Sequence, residues 1–535
     1  MKIALCQINP TVGAFAANRD KITDYYQMAI RAGADLVVFP ELVITGYPPA
    51  DLLYEEGFVD KNLITLNEII SIIKTPLIIG FVRKVDGALY NSAAMCDNGE
   101  IIKTYDKILL PTYDVFDEDR YFTPGTDICV WELNIKNEKY PVGIQICEDL
   151  WDDSYDRKVS MELKDSGAEI IINISASPFH RNRVKERLEV IKKHVQSTKC
   201  AFLYCNIVGA QDELIFDGQS VALNNNGKLL AHGKAFQEDI IYCDLNSKQA
   251  PITLRKVPAE EESYHALVLG VQDYFCKTGH TDAVIGLSGG IDSSLVACIA
   301  VDALGTNHVH GVSMPSRFSS GHSKNDAKKL AENLKIDFRS IEIEDIVSEY
   351  EDTLATHFEG EERNVAEENI QARTRGNLLM ALSNKFNWLV LSTGNKTELA
   401  LGYCTLYGDM SGGLAVISDL SKVDVYSLAN YINNVAGDYR IPVNCIEKPP
   451  SAELAPHQVD PFDYNVVSPL VDRIVEDYES PITLINDGAV PDLVFDLYRR
   501  ININEYKRRQ AAPGLRVSSK AFGIGRRFPI VNHFS

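Results

Sequence analysis

Residues 283–300, AVIGLSGGIDSSLVACIA, leave the chain little choice of fold. A β-branched apolar run ends at Leu287, Gly289 and Gly290 require a tight turn, and Asp292, Ser293 and Ser294 open a segment with apolar residues at Leu295, Val296, Ile299 and Ala300. A buried strand that turns through glycine into a helix is a building unit of a parallel α/β sheet. It also presents backbone N–H groups and a helix N-terminus to an anion. Leu287, Ser288, Gly289, Gly290, Ile291, Asp292, Ser293 and Ser294 are accordingly read as a phosphate loop. No lysine precedes the serines, so the grip on a γ-phosphate typical of a Walker loop is missing, and the loop suits a whole pyrophosphate.

The same pattern continues around it. A helix carrying His265, Leu267, Val268, Val271 and Phe275 leads into strands expected at 283–287, 308–314 and 388–392, which predicts a doubly wound parallel sheet over 263–535. Residues 1–245 alternate short strands (2–8, 36–39, 77–82, 92–96, 142–147, 170–174, 202–206) with amphipathic segments at 19–32 and 183–198. They also hold a hairpin-like pair, 218–223 with 228–231. This is a second layered α/β domain. The polar, proline-bearing stretch 246–262 is the expected linker.

The charge balance of 53 basic against 74 acidic residues, net −21, sets the average surface against polyanions, so neither nucleic acid nor an anionic membrane is an expected partner. The longest apolar runs fall short of the ~20 residues that span a bilayer. Gln7 and Asn9 interrupt the N-terminal segment where a signal peptide needs an apolar core, so a cytosolic, cytoplasmic chain is expected. Eleven cysteines without a CxxC pair argue against a disulfide framework and a four-thiolate zinc site. Ten are read as small buried hydrophobes.

The eleventh is Cys147, at a strand exit. Glu41 and Lys107 stand at two other strand exits. A buried cysteine or a surface lysine is ordinary taken singly. Together, a carboxylate base, a cation and a thiol are what carboxamide hydrolysis through a thioester requires, with the cation expected to ease loss of the thiol proton. In the second half, LSTGNKTELALGY offers Thr393, Lys396 and Glu398 at a strand-to-helix turn. Asp292 and Glu398 are the carboxylates a magnesium ion on phosphate oxygens would use. YCTLYGDMSGGL reads as an ordered substrate loop. The tail 507–527, with seven basic residues and no acidic one, reads as a clamp on an anionic nucleotide. The acidic run 342–368, with eleven carboxylates, reads as solvated surface, and His308-Val309-His310 lacks the further ligands a zinc site needs.

The string SGGIDSS resembles the N-type ATP pyrophosphatase family, which cleaves ATP to AMP and pyrophosphate while adenylating an acceptor. FPELVITGYPPADLL, YDKILLPTYDVFDE and GIQICEDLW resemble the signature segments of the nitrilase superfamily. The second resemblance implies a four-layer αββα sandwich with Glu41 as proton acceptor, Lys107 as stabiliser and Cys147 as nucleophile. It also implies Tyr113, Ser177 and Arg183 around a glutamine substrate, and Glu118 as an auxiliary carboxylate. With EENIQARTRG, STGNKTELALGYCTLYGDMSGG, KPPSAEL and KRRQAAPG, the whole chain resembles the glutamine-dependent NAD synthetase family. That likeness implies ATP on the phosphate loop and Thr393, and deamido-NAD on Asn369, Glu398, Tyr403, Cys404, Thr405, Leu406 and Lys507. It further implies Mg2+ at Asp292 and Glu398, no prosthetic group, a homo-oligomer and internal passage of ammonia. The activity so implied is that of an ATP-dependent carbon–nitrogen ligase with glutamine as amido donor. Thr112 and Gly321 depart from the family's usual residues without touching a catalytic role. Two rivals stand: an amidotransferase of the same kind aminating a purine or an amino-acid carboxylate, and a nucleotide-sensing module with a silent amidase half. The presence of all three catalytic residue types argues against the silent module.

Overall fold

The computed structural model describes residues 1–245, 250–437, 439–456 and 458–532. The chain divides into two compact units, Met1–Lys256 and Val257–Ser535. Of the expected linker, 246–249 lie outside the described residues, and 250–258 has no regular structure. The helix read as starting at Ser263 begins earlier, as Ala259–Thr278, with Glu260, Glu261 and Glu262 in its first turn. Their polarity puts them in the expected linker, yet carboxylates are favoured where the helix dipole is positive.

In the first unit, one six-stranded sheet is built from β1 (Lys2–Gln7), β2 (Leu36–Val38), β3 (Leu77–Val85), β4 (Ala88–Asp97) and β5 (Glu100–Asp106). The other comprises β6 (Cys129–Ile135), β7 (Glu138–Ile146), β8 (Ile170–Ser175) and β9 (Ala201–Asn206). After the ribbon β10 (Val208–Gln211) and β11 (Leu214–Asp217), the hairpin β12 (Val221–Leu223) and β13 (Leu229–His232) completes the second sheet, and β14 (Asp239–Asp244) returns to the first. The orders are β14-β1-β2-β3-β4-β5 and β13-β12-β9-β8-β7-β6. The pairings β1 to β2, β2 to β3, β7 to β8 and β8 to β9 are parallel, while the flanking strands are antiparallel.

Alternation along β1 shows how the layers form. Ile3 and Leu5 join Ile144, Ile172 and Leu203 in a core between the two sheets. Ala4 and Cys6 face the other way, into a core with Ile22 and Tyr26 of helix Phe15–Arg31 and Leu66 and Ile69 of helix Phe58–Ile70. Leu163 of helix Val159–Asp165 and Ile191 and Val195 of helix Arg183–Thr198 cover the second sheet. Helix, sheet, sheet and helix give the expected αββα sandwich. The parallel strands end on one side, and Glu41, Lys107 and Cys147 follow β2, β5 and β7. β5, expected only as the strand whose exit carries Lys107, has four exposed residues in succession at a sheet edge, so no apolar alternation marks its bounds.

In the second unit, β15 (Ala283–Gly286), β16 (Val309–Ser313), β17 (Asp337–Ser340), β18 (Leu389–Ser392) and β19 (Leu414–Ala415) form a sheet of order β17-β16-β15-β18-β19, parallel throughout. The order reverses between β15 and β18, the place where a doubly wound sheet opens a crevice beyond its strand ends. The phosphate loop leaves β15, and Thr393 leaves β18, on either side of it. Gly289 has φ +78°, and a Cβ there would strike the Ser323 carbonyl, so only glycine serves.

Candidate active sites

In the first unit, three strand exits converge on one buried charge cluster. The Lys107 ammonium donates to Glu41 Oε1 at 2.8 Å and to both oxygens of Glu118 at 2.8 and 2.9 Å. Glu41 also accepts from Asn91 Nδ2 at 2.7 Å and from the Ala176 N–H at 2.7 Å. Tyr47 donates to Glu118 at 3.0 Å. Burial works against the charge on Lys107, but Glu118 and Glu41 more than offset it and hold its pKa well above the ordinary value. A cation and a carboxylate acceptor are thus held in place without solvent.

Cys147 follows β7 on a one-turn segment with φ +42°, a left-handed conformation that a non-glycine residue holds only under constraint from its surroundings. Its thiol departs from the expectation that the neighbouring cation eases ionisation. Burial, and then Glu41, push its pKa well above the ordinary value, outweighing the opposite pull of Lys107. The sulfur rests protonated, and a base is needed when it reacts.

The residues implied for glutamine lie around this turn. Tyr113 is half exposed and donates to Glu148 at 2.8 Å. Tyr155 donates to the same carboxylate at 3.0 Å. Arg183 lies over the Trp151 ring at 4.0 Å and donates to Ser177 Oγ at 3.3 Å, while its Nε is buried without a partner among the described residues. Glu148 went unnoticed in the sequence although it adjoins Cys147 in ICEDLW. Burial raises its carboxyl to about 7 against the two tyrosine hydrogen bonds.

The second unit holds a cavity of about 320 Å³ at the β15–β18 switch point. Leu287, Ser288, Gly290, Ile291, Asp292, Ser293, Thr393, Glu398, Tyr403 and Cys404 line it, as do Lys448, Ser451 and Glu453 of KPPSAEL. Ser294 turns inward, donating to the Gly290 carbonyl at 2.8 Å. Asn369, Thr405, Leu406 and Lys507 stand behind the lining. Thr405 donates to Asn369 Oδ1 at 2.7 Å, the Leu406 carbonyl accepts from Arg373, and Lys507 donates to the Gly402 and Cys404 carbonyls at 2.8 Å. Arg375, which no motif singled out, faces the cavity with burial lowering its pKa to about 10.

Asn395 and Glu398 form a capping box on helix Lys396–Leu401, which sets Glu398 at the third helical position. Asn395 also donates to Asp292 at 2.9 Å. Lys396 turns the other way, buried against Asp419, Asp472 and Glu476. A second capping box, Ser421 with Asp424, places Lys422 at the start of helix Lys422–Ala436. Its ammonium bridges Asp292 at 2.6 Å and Glu398 at 3.0 Å. Burial opposes that charge, but the two carboxylates raise the Lys422 pKa; burial raises Glu398 to about 7. Two convergent carboxylates fit a magnesium ion only if phosphate oxygens and water supply the remaining ligands. Among the described residues, no three acidic, histidine or cysteine side chains gather into a metal site.

The basic tail is not one clamp. Arg508 and Arg509 pair with Glu505, Arg516 donates to the Ser518 and Ser519 carbonyls, and Lys520 and Arg526 lie over Tyr478. Internal acceptors and rings take most of the cations that a count assigns to a ligand. His308 precedes β16 instead of alternating within it, and it converges with His310 on Asp282.

Comparison with known proteins agrees with this geometry. The carbon-nitrogen hydrolase family model matches residues 2–251 and the NAD synthase family model residues 263–511. A glutamine-dependent NAD(+) synthetase of Synechocystis sp. is 43% identical, with 99% of each chain covered. One from Thermotoga maritima is 41% identical over 100% of this chain and 99% of its own. The solved glutamine-dependent NAD+ synthetase of Acinetobacter baumannii, in complex with ADP, is 36% identical with a TM-score of 0.80, covering 99% of this chain and 98% of that one. On these relationships, spanning both units, the chain belongs to the glutamine-dependent NAD(+) synthetase family.

Proposed function

We infer that the chain hydrolyses glutamine in its first unit and uses the ammonia in its second to convert deamido-NAD to NAD, with ATP yielding AMP and pyrophosphate. The observation that carries this reading is the presence, in one chain, of a thiol beside a buried carboxylate–ammonium cluster and of a phosphate loop at a sheet switch point. In the first unit Glu41 takes the proton of Cys147 as the sulfur attacks the carboxamide carbon, and the Lys107 ammonium faces the developing oxyanion. The thioester forms as ammonia leaves, and water then releases glutamate. Glu118 keeps Lys107 charged and aimed. Arg183 and Ser177 offer donors for the substrate's α-carboxylate. Glu148, with Tyr113, offers the negative charge that an α-ammonium group needs.

In the second unit the loop N–H groups and serine hydroxyls hold the triphosphate while the deamido-NAD carboxylate attacks the α-phosphorus. Pyrophosphate leaves and an acyl adenylate remains, which ammonia attacks to give the carboxamide and AMP. Asp292 and Glu398 are the residues that would hold a magnesium ion, which when bound neutralises charge on the phosphate oxygens. Lys422 must leave its bridge between them and is then free to meet a phosphate. We place the enzyme in the cytoplasm, where ATP and glutamine are supplied, and expect a homo-oligomer, as the family likeness implies. The test is incubation with ATP, deamido-NAD and glutamine bearing a heavy isotope on its amide nitrogen. The NAD formed should carry the label in its carboxamide, and unlabelled NAD, or none, overturns the reading.

A further inference from the structure

Asp149, two residues past Cys147, has no part in the mechanism above, yet it is fully buried at the junction of two catalytic segments. Its Oδ1 accepts from the backbone N–H groups of Ile108 at 3.2 Å and Leu109 at 2.9 Å, the two residues that follow Lys107. Its Oδ2 accepts from the Ile146 N–H at 2.9 Å, immediately before Cys147, and from the Tyr105 hydroxyl at 2.7 Å, two residues before Lys107. β5 and β7 belong to different sheets of the sandwich. One carboxylate therefore ties the exit of the strand bearing the cation to the exit of the strand bearing the nucleophile, across the layers. The bond back to Ile146 also closes the turn that keeps Cys147 at φ +42°. Only an ionised carboxylate offers acceptors to four donors at once, two on each oxygen.

We propose that Asp149 is a positioning residue that sets the relation of the Cys147 sulfur to the Lys107 ammonium in the glutamine reaction. The substrate's polar groups are met by Tyr113, Ser177, Arg183 and Glu148, none of which Asp149 bonds, so its loss falls on the chemical step. A displacement of about 1 Å between reacting groups costs on the order of 10²-fold in rate. Asp149→Asn, whose amide nitrogen cannot accept, should lower kcat with glutamine by about that factor. The KM for glutamine and the ammonia-supported rate should stay near those of the parent. Tyr105→Phe removes one donor of the four without burying a new polar group, and should give a smaller, few-fold fall of the same kind. Alkylation of Cys147 by iodoacetamide should slow in step with kcat in both variants.

Both variants are assayed well below their melting temperatures, so that a shortage of folded protein, which would lower glutamine- and ammonia-supported rates together, is separable. If Asp149→Asn fails to fold, Tyr105→Phe decides alone. An unchanged kcat in Tyr105→Phe, or a rise in KM at constant kcat, overturns the proposal. The proposal rests on the glutaminase reading, whose failure would appear as absent glutamine-supported turnover in the unsubstituted enzyme.

Discussion

Each catalytic unit places one lysine ammonium between two carboxylates, and the two arrangements have different fates. Lys107 lies between Glu41 and Glu118 with side-chain exposures of 0%, 0% and 6%, closed against solvent on every side. Lys422 lies between Asp292 and Glu398, whose side chains are 18% and 17% exposed towards the cavity. Desolvation makes the first cluster permanent, because a lysine removed from two fully buried carboxylates would leave charges that nothing else neutralises. The second borders the cavity, where both of its carboxylates are partly exposed. The same charge pattern therefore occurs in a closed cluster and in one that borders a cavity, and access to solvent tells them apart.

The contrast between the units should be largest at Cys147, the proposed nucleophile. Cys147→Ala should lower glutamine-supported NAD formation by on the order of 10⁴-fold or more, the scale seen when a covalent nucleophile is removed. Ammonia-supported formation should stay within about twofold, because the second unit's chemistry needs no sulfur. Asp292→Ala should lower both by at least about 10²-fold, as loss of one electrostatic anchor does in a site that stabilises developing charge. Parallel steady-state assays of the two variants with glutamine and with ammonium check this. A folded Cys147→Ala protein inactive with ammonium would mean the two units do not hold separable sites.

Stability sharpens the contrast at the next scale. Glu118→Gln leaves the buried Lys107 ammonium with one carboxylate, and breaking a buried pair costs about 3–5 kcal/mol. Glu398→Gln removes a carboxylate that faces the cavity with its side chain 17% exposed, and its cost should fall below that of Glu118→Gln. Urea unfolding with hydrogen exchange read on peptides from each unit separates the two. Equal losses would mean the second cluster is as closed as the first.

What could be read in the chain was whatever is local to it. SGGIDSS announces its turn through glycines with no alternative, and the strand exits at Glu41 and Cys147 follow short apolar runs, whereas the strand before Lys107 is mostly exposed and only the string around that lysine points to it. Lys422 was missed because its partner Asp292 is 130 residues away, and the only local sign was the Ser421–Asp424 capping box, which marks a helix start and no ligand. Arg508 and Arg516 show the converse error. Their charge is plain in the sequence, as is Glu505 three residues before Arg508, but the helix that pairs those two and the turn that brings the Ser518 and Ser519 carbonyls to Arg516 are products of folding. The direction of the Cys147 shift was misjudged for the same reason, since neighbouring charge can be guessed from a motif and complete burial cannot.

Glu148 yields the smallest effect, and one whose sign distinguishes substrate binding from folding. Burial raises its carboxyl from the ordinary 4.5 to about 7. An ionised Glu148 is what an α-ammonium group requires, so KM for glutamine should rise as pH falls through about 7, by up to roughly tenfold per unit once protonation dominates. Stability moves oppositely. Between 4.5 and about 7 the folded chain holds a proton that the unfolded chain has released. Stability from this group is therefore fully present below 4.5 and is lost as pH rises through about 7. Glu148→Gln should flatten both limbs while raising the KM at pH 8, and glutamine kinetics and urea midpoints across pH 5.5–8.5 measure the two together. A KM that stays flat in the parent enzyme, or an acid limb that persists in Glu148→Gln, would place the α-ammonium on another group.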